Sequence, residues 1–405
     1  MKACQSQQSL PVPGAVVYKQ LVSEAELLAP LLLYWRNSAQ FAAAASARMS
    51  IFNKYTAGSF ADNLHSYASV FDHFDKNRDG FLDTKEFYEL LKELLVSDAN
   101  HQQQFVTHED AAFIFSVLDL DHDGHISLTE FQTAWLYWLR QILSPVKALV
   151  IVDVQNDFIS GSLSLSSCPA SQDGSVVIPV INTLLEQSLF DLIVYTYDWH
   201  PDNHISFIDN VHTRKLHPTS KVLSEDVRPF DTVVFEVDGV QKEQMLWPRH
   251  CIQESWGAEL HPSLMVAENA FHIKKGTNPN VDSYSAFWDN DKVSKTQLSS
   301  ILREQQVTDV YVCGLAYDVC VGQTASHAVD HGFRTTLIED ATRGVSLDGI
   351  AKMRQELAAK GVYFAESHQV PRLVKAELRP LSLAVQAAVN YKLAWKMVNG
   401  KSLQS

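Results

Sequence analysis

The sequence predicts an α/β protein, a mostly parallel doubly wound sheet preceded by an all-α region. Three observations support this. Downstream of Pro145, short runs rich in β-branched and aromatic residues alternate with segments of helical period, as parallel strands joined by crossover helices do. Several of those runs, VKALVIVDV and TDVYVCGLA among them, are apolar almost throughout, as strands covered on both faces must be. Upstream of Pro145, helical patterns dominate.

At 405 residues and 46% hydrophobic content, the chain is long enough for two or three ordinary globular domains. The opening MKACQSQQSLPVPG lacks a basic start leading into a long apolar core, and no apolar run reaches the roughly 18 residues of a spanning helix. The expectation is a soluble protein of the cytoplasm or nucleus, with no membrane partner. Cys4, Cys168, Cys251, Cys313 and Cys320 make neither a disulfide framework nor a zinc-ribbon spacing, which fits a reducing compartment. A formal net charge of −14 argues against nucleic acid as a partner, because duplex binding depends on neutralising phosphates.

Two segments upstream, DKNRDGFLDTKE (Asp75 to Glu86) and DLDHDGHISLTE (Asp119 to Glu130), repeat one pattern. Oxygens stand at positions one, three and five, glycine at six, an apolar residue at eight and glutamate at twelve. A hard cation such as Ca2+ takes six to eight oxygens, and alternate residues of a tightly curled loop point inward to supply them. The first loop offers Asp75, Asn77, Asp79, the Phe81 carbonyl and Glu86; the second offers Asp119, Asp121, Asp123, the His125 carbonyl and Glu130. Asp83 and Ser127 fall at position nine, often reached through water. Flanking runs such as FYELLKELL and FQTAWLYWL supply the helices. The region resembles the EF-hand family.

In the α/β region, polar residues mark the ends of strand-like runs. VDVQNDF places Asp153 there, with Phe158 following; IKKG places Lys275 and GLAYDVC brings Cys320. Strand ends of one parallel sheet converge on one side, where ligands bind. Cys320 falls in the first turn of the helix expected over VCVGQTASHAVDHG, where exposed N–H groups lower a thiol's pKa. No GxGxxG follows the first strand, which weakens a dinucleotide reading.

The blocks VDVQNDF, DWHPDNHISF, WPRHC, KKG with YSAF, and GLAYDVCVGQTA resemble the isochorismatase-like cysteine hydrolases, and among them the nicotinamidases, over roughly residues 146 to 365. The resemblance implies a catalytic triad of Asp153, Lys275 and Cys320, oxyanion donors at the backbone of Ala316 and Cys320, and a cis peptide between Leu315 and Ala316. It also implies a ring pocket lined by Phe158, Trp247 and Tyr284. Asp198 and His200, two apart at a strand end, leave the same face, and His250 completes a carboxylate and two imidazoles with open positions. This shell suits Zn2+ or another divalent transition metal; His204 is either a fourth ligand or holds a metal-bound water. A metal-bearing member points to nicotinamide as substrate, hydrolysed to nicotinate and ammonia through a Cys320 thioester. A related metal-dependent small-amide hydrolase, or a calcium-binding interaction protein with an inactive hydrolase domain, are the alternatives.

The expected division is a helical segment over 1–60, an EF-hand pair over 61–144, the hydrolase over 145–366 and a helical tail over 367–405. In the tail, Ala384, Ala388, Tyr391, Trp395 and Val398 share a helical face suited to docking on the body or on a second subunit. Whether the chain forms a homo-oligomer is left open. If calcium regulates turnover, the tail or the hydrolase surface beside WLYWLRQIL is the nearest partner for the hands.

Overall fold

The computed structural model describes residues 50–55, 66–97, 106–237 and 239–400. The stretch AQFAAAASARM and most of the expected N-terminal segment lie outside the described residues. None of the described helices is long and apolar enough to cross a membrane.

The first module is helical. Around the two loops stand α1 (Tyr67–Phe74), α2 (Thr84–Leu94), α3 (His108–Leu118) and α4, which begins as Leu128–Ala134, passes through a π-helical turn at Trp135–Leu139 and ends with Arg140–Leu143. The loops share one geometry. Arg78 and His122 both have φ 61°, and Gly80 and Gly124 both have φ 86°. Between them β1 (Phe81–Leu82) and β2 (Ile126–Ser127) pair antiparallel, Leu82 opposite Ile126. Asp83 and Ser127 have a further role that spacing alone does not reveal: each caps its helix, and Glu86 or Glu130 folds back to complete a capping box.

The second module holds a six-stranded parallel sheet of β3 (Lys147–Val152), β4 (Leu192–Asp198), β7 (Phe271–Lys275), β8 (Asp309–Leu315), β9 (Arg334–Arg343) and β10 (Tyr363–Ala365), in the order β10-β9-β8-β3-β4-β7. Along β3 the side chains alternate: Leu149 and Ile151 enter one core, Ala148, Val150 and Val152 the other. Helices α5 (Asn156–Ile159), α6 (Val177–Glu186) and α10 (Val370–Val374) cover the first face; α7 (Leu298–Glu304), α8 (Gly322–Asp330) and α9 (Leu347–Ala359) cover the second. The last helix, α11, runs Leu381–Gly400.

Two strands of this module stand apart from the six-stranded sheet. TVVFEV forms β5 (Thr232–Val237) and pairs antiparallel with β6 (Val240–Met245). Val233 and Phe235 bury a small core of their own with Ile205, Val211 and Leu246. The tail face also departs from expectation. Ala384, Ala388 and Tyr391 are buried on the body, whereas Trp395 is 39% exposed.

Candidate active site

Because β3 has β4 on one side and β8 on the other, the chain reverses its winding there and leaves a crevice at the strands' C-terminal ends. Asp153, Asp198, Lys275 and Cys320 meet in it, all buried. Asp153 adopts a left-handed backbone, φ 49°, at a cost of about 1–2 kcal/mol, with its N–H donating to the Thr196 carbonyl at 3.3 Å.

Lys275 is the hub. Its ammonium lies 2.9 Å from Asp153 Oδ2, donates to Asp198 Oδ1, to the Ser283 carbonyl at 3.0 Å and to Cys320 Sγ at 3.2 Å. Ligand atoms of Asp153, Asp198 and Cys320 lie within 4.8 Å of one another. Two buried carboxylates therefore share one cation, and their proton affinities separate. For Asp198, burial raises the pKa but Lys275 and His200 outweigh it, so the carboxyl stays well below the usual range. For Asp153, burial wins over Lys275 and the Asp198 charge adds to it, so its pKa is raised. Neighbouring acids pushed apart in this way divide the work: Asp198 holds its charge, and Asp153 has the higher proton affinity of the two. Asp153 Oδ1 accepts from the Thr196 hydroxyl at 2.5 Å, which leaves Oδ2 to face the Lys275 ammonium.

The Cys320 thiol departs from the expectation of a lowered pKa. Burial pushes it well above its ordinary value, Lys275 opposes this, and Asp198 and Asp153 add to the rise. The helix start at Tyr317–Val321 is π-helical and enclosed, so desolvation outweighs the help of exposed N–H groups. The peptide between Leu315 and Ala316 is cis. Cys313 is buried within β8.

Beside this cluster, His200 Nε2 and His250 Nε2 approach Asp198 Oδ2 at 3.5 and 3.7 Å. Each Nδ1 faces a backbone carbonyl, Gly276 O at 2.9 Å and Pro248 O at 2.8 Å. A carbonyl only accepts, so each Nδ1 carries the proton and each Nε2 presents its lone pair, as metal-binding imidazoles do. His204 is not within this trio. Its Nδ1 meets Ser206 Oγ at 2.7 Å, its ring stacks on His200, and its Nε2 is buried with no hydrogen-bond partner among the described residues. The donor set fits a divalent transition metal at Asp198, His200 and His250.

A pocket of about 400 Å³, its open mouth included, joins the two centres. Phe158, Trp247 and Tyr284 line it, with Trp247 and Tyr284 edge to face. Ala316 and Cys320 line it as well, and so do Asp198, His200 and His250.

Two residues of this site carry no signal as isolated letters. Gln155, fully buried, accepts from Asp198 N at 2.9 Å and donates to Asp198 O at 2.8 Å and Ala258 O at 2.9 Å. It grips both sides of the metal-facing residue's backbone. Asp157 Oδ2 accepts from Cys251 N at 2.7 Å, fixing the residue next to His250. Polar residues packed directly behind a buried strand were the available clue.

These residues sit within a recognisable family region. The isochorismatase-domain family model matches residues 147–369, and the EF-hand domain pair model matches residues 67–136. The chain belongs to the isochorismatase family and carries an N-terminal EF-hand pair. It is related to nicotinamidases: it is 39% identical over 224 residues to that of Acinetobacter baylyi, covering 55% of this chain and 94% of the relative. With the Saccharomyces cerevisiae nicotinamidase it shares 37% over 226 residues, 54% of this chain and 98% of the relative. Among solved structures, a nicotinamidase/pyrazinamidase of Acinetobacter baumanii is 40% identical, covers 56% of this chain and 98% of its own, and has a TM-score of 0.47.

Proposed function

We propose that the chain is a nicotinamidase, hydrolysing nicotinamide to nicotinate and ammonia. The observation that carries this reading is the shared ammonium of Lys275, which ties the thiol and its acid partner to the ligand end of one aromatic slot. A planar carboxamide with a ring nitrogen fits such a slot, its carbonyl at Cys320 and its ring between Phe158, Trp247 and Tyr284. The nicotinamidase relatives support the choice.

In this reading, Cys320 passes its proton to Asp153 and the sulfur attacks the amide carbon. The backbone N–H groups of Ala316 and Cys320 receive the charge developing on the carbonyl oxygen, a contribution of about 3 kcal/mol. The C–N bond breaks as Asp153 returns its proton to the leaving nitrogen, giving ammonia and a thioester. Asp153 then deprotonates water as it adds to the thioester carbon; the C–S bond breaks and the sulfur regains its proton, releasing nicotinate. Asp198, His200 and His250 would hold the metal, Zn2+ being the best match to mixed nitrogen and oxygen donors. When bound, it supplies a Lewis-acid anchor for the pyridine nitrogen. Lys275 keeps Asp198 ionised throughout.

The test is ammonia release from purified zinc-loaded protein across nicotinamide, pyrazinamide and unrelated small amides. Nicotinamide should be turned over with the highest kcat/KM. Turnover of an unrelated amide with none of nicotinamide would favour the sister hydrolase reading, and no turnover of any would favour a binding protein.

Gly276 offers a check on the metal seat. Its φ is 67°, and a Cβ there would stand 2.3 Å from His200 Cε1. Gly276→Ala should displace the imidazole and cost about 10–100-fold in zinc affinity, as outer-shell changes do. Zinc-buffer titration measures it; wild-type affinity would overturn the assignment.

The two loops are read as calcium sites. Asp119 Oδ1 is buried with no hydrogen-bond partner among the described residues, and ligand atoms of Asp119, Asp121 and Glu130 lie within 4.8 Å of one another. Asp75 accepts from the backbone N–H of Asp79 and Gly80, holding the first loop in the same curl. Two calcium ions per chain are expected by calorimetry.

A further inference from the structure

Residues 381–400 lie outside both family-matched regions, yet α11 joins the two modules. Ala384, Ala387, Ala388 and Tyr391 recur at i, i+3, i+4 and i+7, one helical stripe, and all four are buried in the EF-hand core. The indole N–H of Trp138, in α4, donates to the Ala384 carbonyl at 3.0 Å in the interior. The same helix grips the hydrolase with other residues. Gln386 Oε1 accepts from Thr335 N at 2.9 Å and its amide donates to the Gly361 carbonyl, while Asn390 donates to the Gly332 carbonyl at 2.7 Å. Leu383 enters the core of the sheet's first face.

Contacts also reach the far end of α2, the helix that leaves the first loop. Just before α11, Arg379 exchanges backbone hydrogen bonds with Val96 at 2.9 and 3.1 Å, and its guanidinium donates to the Leu94 carbonyl at the end of α2. In the second hand, Tyr391 shares a buried core with Phe131, the residue that follows Glu130.

The lining of the groove indicates what it is for. Hands that serve many targets present flexible, methionine-rich grooves. No methionine occurs between residues 66 and 144 of this chain. The core that receives α11 combines aromatics such as Phe87, Phe115, Trp135 and Trp138 with leucine and isoleucine, and the docked stripe is mostly alanine, which allows close approach. This is a surface fitted to one small-residue helix, already seated.

We propose that α11 is the resident target helix of the EF-hand pair, so that calcium occupancy and the clasp of α11 between the two modules form one linked equilibrium. The proposal rests on the calcium reading of the loops. An ion drawn onto Glu130 fixes the start of α4, and α4 carries Trp138 to Ala384. Linkage is reciprocal: the factor by which undocking α11 weakens calcium is the factor by which calcium strengthens docking.

The experiment uses the full-length, zinc-loaded protein. Calcium binding is followed by calorimetry, and backbone hydrogen exchange across residues 381–396 is followed with and without calcium. In the wild type, two ions bind and exchange in α11 slows at least about fivefold, the lower end of typical couplings. Ala387→Glu, which puts a charge into the core, weakens calcium binding by at least about fivefold. Trp138→Phe keeps the ring, drops the N–H and shifts affinity the same way by a smaller factor; it carries the test if Ala387→Glu does not fold. Glu130→Gln removes the calcium-induced protection of α11. Two bound ions with unchanged exchange in α11 and unaltered affinity in both groove variants overturn the linkage while leaving the calcium sites standing. No calcium bound to the wild type removes the calcium reading, and the linkage with it.

Discussion

If the chain is the proposed nicotinamidase, Cys320→Ala is expected to lower kcat for nicotinamide by about a thousandfold or more while metal content and unfolding temperature stay near wild type. No other group in the crevice can replace the sulfur: Cys313 lies within β8 and Cys251 is fully buried beside the Gly257 carbonyl. Removing an attacking atom deletes the covalent route, and what remains is binding and charge stabilisation, which act on water only weakly. The structural cost is small because Sγ accepts one hydrogen bond, from Lys275. The measurement is single-turnover ammonia release together with mass spectrometry of the acyl-enzyme, which the variant cannot form. Activity within tenfold of wild type would sink the assignment.

Lys275→Met is expected to fail in two ways at once, losing turnover as completely as Cys320→Ala and also losing stability. Lys275 is 2% exposed and its ammonium stands between Asp153 and Asp198. Removing one partner from a buried ion pair costs about 3–5 kcal/mol, because the abandoned charge stays buried. Asp153, whose pKa is already raised, can take up a proton and so trims that loss. Thermal unfolding should fall by roughly 10 °C for a domain of this size. Lys274 is the control. It is exposed, with its ammonium over the Trp199 ring at 3.5 Å, and Lys274→Ala should leave both rate and unfolding close to wild type. The reverse order would show that the lysine was placed one residue wrong.

Much of this was legible because the chemistry demands residue types at fixed spacing. A calcium loop cannot form without oxygens at alternate positions, and both loops adopt the same backbone. The parallel sheet followed from apolar runs too continuous for a half-exposed strand, and β3 is buried from Ala148 to Val152. Three features were not legible. TVVFEV has the composition of a central strand, but a tight turn returns it onto β6, and pairing is a tertiary choice that composition does not record. The proton affinity of Cys320 depends on how completely the crevice closes over it, which a helix-start argument leaves out. Gln155 and Asp157 hold backbone groups far away in sequence, so their partners become visible only once the chain is folded. The tail was half legible: its apolar stripe marked a docking face, but the exposure of Trp395 shows that the stripe ends a turn earlier than the letters suggest.

The short connection after β3 has a consequence for how this chain can vary. Asp153 faces the lysine, Gln155 grips the backbone at Asp198, Asp157 holds the backbone beside His250, and Phe158 walls the ring slot. Even Asn156 between them is spoken for, its amide donating to the Trp256 carbonyl at 2.8 Å. Such a stretch tolerates some exchange of side chains but no change of length. One residue added or lost would move each of these groups off its own partner together, so lineages descended from such a chain should differ there by substitution and never by a gap.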